Sequence, residues 1–67
     1  MKLTIAGWRA ERKMSQTELA DKIGKTQKTI SAWETGKSEP YPSDLDMIHK
    51  AMKLKPTDHI LLPKDLI

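Results

Sequence analysis

The side chains with usable chemistry cluster between Gln16 and Lys37. Thr26, Gln27, Lys28, Ser31 and Ala32 recur at the spacing that gathers residues on one face of a helix. A glutamine amide can bond an adenine edge through two hydrogen bonds. Lysine donates to guanine acceptors, and an alanine methyl can pack against a thymine methyl. Gln16, Lys25, Thr35 and Lys37 flank this set with groups suited to phosphate oxygens. The chemistry on offer is recognition of a duplex, not bond making. There is no cysteine, hence no thiolate nucleophile or thiolate metal ligand. The only histidines, His49 and His59, have no partners for a metal site. No phosphate loop and no pair of catalytic carboxylates occurs. The sequence therefore predicts no enzyme, no cofactor and no small-molecule substrate.

Charge agrees with a polyanionic partner. The 67 residues carry a net charge of +3. Residues 1–40 hold eight basic and five acidic side chains, and residues 41–67 hold four of each. The entire excess lies in the front of the chain, where the candidate readers are. Apolar runs stop at three residues, as in Ile60-Leu61-Leu62, so neither a membrane span nor a signal-peptide core can be drawn.

Helix signals must position these groups. Thr4 can cap a first helix over about Ile5 to Lys13, within which Gly7 costs up to about 1 kcal/mol relative to alanine. Ser15-Gln16-Thr17-Glu18 is a capping box, with Met14 and Leu19 placed as a hydrophobic staple. The second helix buries Leu19, Ala20 and Ile23 and stops at Gly24. Thr26 caps a third, about Gln27 to Thr35, which turns Ile30 and Trp33 inward and therefore Gln27, Lys28, Ser31 and Ala32 outward. Gly36 ends it. A fourth starts at cap Ser43 and keeps its spacing through residue 52. Thr57 can cap a short fifth through about Leu61, leaving residues 62–67 as a loose tail. The expectation is a single all-α domain of five helices over residues 1–67.

Residues 16–35, QTELADKIGKTQKTISAWET, resemble the helix-turn-helix of the Cro and C1 repressor family. The family pattern wants a small residue at Ala20, glycine at Gly24, and apolar residues at Leu19, Ile23, Ile30 and Trp33; all six are met. The resemblance extends from about Ile5 to Leu61 and includes the exit Glu34-Thr35-Gly36-Lys37. Lys25 departs from it, where relatives are usually apolar, as does Lys53, where many place a helix-ending glycine. The resemblance implies a lambda-repressor-like domain reading a major groove with its third helix, in the manner of a phage or prophage Cro-like repressor in the cytoplasm of a bacterial cell. It also implies a structural ion pair between Arg9 and Glu34.

A module this small buries limited surface on DNA, so a homodimer on a palindromic operator is expected. Ile60, Leu61, Leu62, Leu66 and Ile67 exceed what so small a core needs and are the dimerisation candidates; the alternative is a tail packed back on its own domain. The competing function is a protein-interaction module, such as an antitoxin or an antirepressor-type partner of another regulator.

Overall fold

Local capping chemistry sets the four helices in the computed structural model, which describes residues 1–67. The chain runs β1 (Lys2–Thr4), α1 (Ile5–Glu11), α2 (Gln16–Ile23), α3 (Gln27–Thr35), α4 (Pro42–Ala51) and β2 (His59–Leu61), and closes with a 3-10 turn over Pro63–Leu66. Thr4 accepts the Gly7 N–H at 3.0 Å and starts α1. The capping box of α2 is complete: Ser15 Oγ accepts from Glu18 N, and Ser15 N donates to the Glu18 carboxylate. Gly24 and Gly36 end α2 and α3 in the left-handed conformation, at φ 71° and 83°. Lys13 and Lys53 take similar angles, φ 52° and 53°, without glycine's freedom, so both carry strain.

Two expectations are corrected. Helix four does not start from a Ser43 cap. Tyr41 is the N-cap, Pro42 occupies the first turn, and Tyr41 N donates to Asp44 Oδ2 at 2.9 Å. The fifth helix does not form either. Asp58 Oδ2 instead accepts Lys55 N at 3.0 Å, closing a turn around Pro56. The chain then leaves extended as β2, which pairs in parallel with β1 in the register Lys2–His59, Leu3–Ile60 and Thr4–Leu61. The fold is four helices plus a short strand pair. The same local device recurs at the C-terminal turn, where Leu62 N donates to Asp65 Oδ2 at 2.8 Å. In Tyr41-Pro42-Ser43-Asp44, Lys55-Pro56-Thr57-Asp58 and Leu62-Pro63-Lys64-Asp65, the aspartate thus folds back onto the N–H of the residue that precedes the proline.

The core is one cluster: Ile5 and Trp8 of α1, Leu19, Ala20 and Ile23 of α2, Ile30 and Trp33 of α3, Ile48 of α4, then Met52, Leu54 and Leu62. Burying one such large side chain contributes about 1.5–3 kcal/mol, so packing between helices outweighs the intrinsic cost of Gly7. Gly7 itself is tightly enclosed: a Cβ there would sit 3.2 Å from Leu3 Cβ. His49 is half-buried on α4. Trp8 fastens the strand pair to the core, its Nε1 donating to His59 O at 2.9 Å. Arg12 stacks over the Trp8 ring, 5.4 Å from its centroid, and donates to Met52 O at 2.8 Å.

Candidate nucleic-acid interface

With Ile30 and Trp33 buried, the opposite face of α3 is open. Thr26, Gln27 and Lys28 are exposed at its start, and Ser31 and Ala32 are half-exposed one turn on. The nine residues of α3 span about 14 Å, a length that fits a major groove about 12 Å wide. Thr26 is occupied as a cap, its Oγ1 accepting Thr29 N at 3.2 Å and lying 3.1 Å from Thr29 Oγ1. Thr35 points its hydroxyl back along the helix, donating to Ser31 O at 3.0 Å. Its proton is thereby spent inside α3, leaving Thr35 only lone pairs to offer. Lys37, just past Gly36, is exposed and unpaired. Lys25 is engaged elsewhere: its ammonium lies 3.5 Å from Asp44 Oδ1, and Asp44 is buried at the start of α4. The departure from the family pattern at Lys25 is thus matched by an acidic partner that fixes the turn between α2 and α3 against α4.

Arg9 and Glu34 meet as a two-pronged pair, Nε to Oε2 at 2.7 Å and Nη2 to Oε1 at 2.9 Å. Both side chains are largely buried. The hydrogen bond to Glu34 holds the Arg9 guanidinium above its ordinary pKa, and burial offsets part of that rise. Arg9 Nη1 also donates to Met14 O at 3.1 Å, which ties down the loop ahead of α2. Glu34 does more than pair with Arg9. Its Oε1 also accepts Gln16 Nε2 at 3.0 Å. Gln16 Oε1 in turn accepts Gln27 Nε2 across a longer 3.4 Å contact. A chain of side chains therefore runs from α1 through the end of α3 to the start of α2 and on to the first residue of α3.

Sequence reasoning missed the two glutamine links. No local pattern announces them, because they join residues 18 and 11 positions apart. The five dimerisation candidates divide. Leu62 is buried in the core, and Ile60 and Leu61 lie half-buried in β2 against β1 of the same chain. Leu66 and Ile67 remain exposed, Leu66 at an apolar cleft lined in part by Ile5, Trp33, Leu61 and Pro63. No helix is long and apolar enough to cross a membrane.

A helix-turn-helix family model matches residues 5–59, most of the chain. No curated protein and no solved structure matches.

Proposed function

The chain belongs to the Cro/C1-type helix-turn-helix family of DNA-binding transcription regulators, and from that premise we propose that it is a Cro-like repressor whose α3 reads an operator in the major groove. Gln27 and Lys28 contact base edges, with Thr26, Ser31 and Ala32 filling out the face. Gln16 has one amide hydrogen on Glu34 and a second left to donate to a phosphate at the N-terminus of α2. Lys37 adds a phosphate contact beyond α3; Lys25 is a weaker candidate because Asp44 shares its charge, and Thr35 can serve only by turning its hydroxyl away from Ser31 O. Because α3 carries so few readers, a homodimer on a palindromic site supplies the affinity, with Leu66 and Ile67 the side chains free to meet a second copy.

The observation that supports this reading best is the exposed Gln27 held against Gln16, which is itself held by Glu34, the partner of Arg9. A reader tethered through a buried ion pair loses less freedom on binding than one that swings in solvent. Selection of bound sequences from a random duplex pool at about 50 mM salt tests it. Recovery of a two-fold related sequence, with affinity falling steeply as salt rises, is the expected result. An absence of duplex binding at that salt would overturn the proposal and favour an interaction module.

A further inference from the structure

Away from the face of α3, the C-terminal ends of α2 and α4 border an open groove of about 500 Å³. Its floor is Ile23, Met47 and Ala51, and its rim is Lys22, Lys50 and Lys53. Met47, Lys50 and Ala51 share one side of α4 by their three- and four-residue spacing. All three lysines are exposed, and none takes part in an ion pair. The ordinary explanation for lysine at a helix end is compensation of the macrodipole. Two helix ends supply only about half a negative charge each, whereas three ammoniums carry three full positive ones. The three ammoniums exceed that compensation, and although Glu18 and Asp46 precede Lys22 and Lys50 by four residues, no carboxylate lies within ion-pair distance of the rim around this apolar floor.

We propose that this groove docks an acidic amphipathic segment of another protein, one whose carboxylates flank a single apolar side chain. The carboxylates meet the rim lysines and the apolar side chain covers Met47 and Ala51. Nucleic acid matches this surface less well. A phosphate backbone could use the lysines but would leave the apolar floor uncovered by anything apolar. The groove also shares no residue with the set on α3, Gln16 and Lys37, so it can be filled while DNA is bound.

The test uses the full chain and a fluorescent 12-residue helical peptide with three glutamates around one leucine, titrated by anisotropy. The parent should bind it, and the Lys22→Gln, Lys50→Gln double variant about fivefold more weakly, the size expected for losing two exposed charge pairs. A peptide with serine in place of the leucine should lose at least as much. The double variant should keep its duplex affinity to within about twofold, which separates this outcome from any failure of the α3 reading. Equal peptide binding by parent and double variant overturns the proposal. So does equal binding of the leucine and serine peptides, which would reveal charge attraction alone. Loss of duplex affinity in the double variant as large as that of Lys37→Ala would make nucleic acid the occupant.

Discussion

Arg9 on α1 and Glu34 near the end of α3 stand face to face through hydrogen bonds of 2.7 and 2.9 Å, although they lie 25 positions apart in the chain. The pair fixes how α3 sits relative to α1, and it is the anchor from which the glutamine contacts run.

Arg9→Ala should therefore destabilise the fold, because Glu34 stays largely buried without its partner. A cost of about 3 kcal/mol, the low end for a broken buried pair, is expected, since Arg9 keeps some exposure. Arg9→Lys should recover only part of it, as an ammonium cannot reproduce the two-pronged geometry. Urea denaturation of the three proteins measures this. Midpoints that coincide would show that the pair contributes nothing to the fold.

Reading and holding should separate in DNA titrations. Gln27→Ala should relax preference at one or two positions of each half-site, by about 1–3 kcal/mol of discrimination, with stability nearly unchanged. Lys37→Ala should weaken all sequences alike and lower the salt slope by about one. Gln16→Ala should do both in part, since it removes the proposed phosphate donor and frees Gln27. Uniform weakening by Gln27→Ala would move the reading away from α3.

The C-terminal segment must be tested with care for the core. Deleting residues 62–67 removes buried Leu62, and emptying a site of that kind costs about 2–5 kcal/mol. The informative variant is Leu66→Ser with Ile67→Ser, which leaves Leu62 in place. Sedimentation should show the parent's dimer weakened while the melting temperature holds. A parent that is monomeric at high concentration would confine any dimer to the operator.

Acid should loosen the junction of the two chain ends. Asp58 accepts from Lys55 N and from the N-terminal ammonium at 3.1 Å, and these bonds lower its pKa below the ordinary 3.8. A carboxylate with a depressed folded value contributes stability that is complete above its unfolded value and lost as pH falls through the folded one. The stability gap between the parent and Asp58→Asn should be full at about pH 5 and shrink below pH 3.8. A gap independent of pH from 5 down to about 2.5 would rule out this role for the charge.

The sequence was most legible where the signals are local. The Ser15–Glu18 box, the Thr26 cap and the glycines at 24 and 36 lie within a few residues of what they terminate, so α2 and α3 fall where the residues place them. The positive φ at Lys53 fits the family resemblance, in which many relatives place a helix-ending glycine at this position. The strand pair was not. Each strand has three residues, too few for an alternation to register, and the partners lie 57 positions apart. Thr57 resembled a cap because nothing local reveals that Asp58 prefers Lys55 N. At the interface, residue types and outward positions on α3 could be read from spacing. The ties from Glu34 to Gln16 and from Gln16 to Gln27 could not, since they depend on how three helices cross.

The parallel ladder of β1 and β2 also bears on the order in which the chain folds. Joining residues 57 apart early would require closing almost the whole chain into a loop, and only three residues on each side would pair in return. The α2–α3 unit needs only neighbours in sequence. The helices should therefore assemble first and the ladder zip last, so that disrupting it, by Leu3→Ala for instance, speeds unfolding while leaving the refolding rate nearly untouched in stopped-flow experiments. Helix α3 is then in place before β1 and β2 meet.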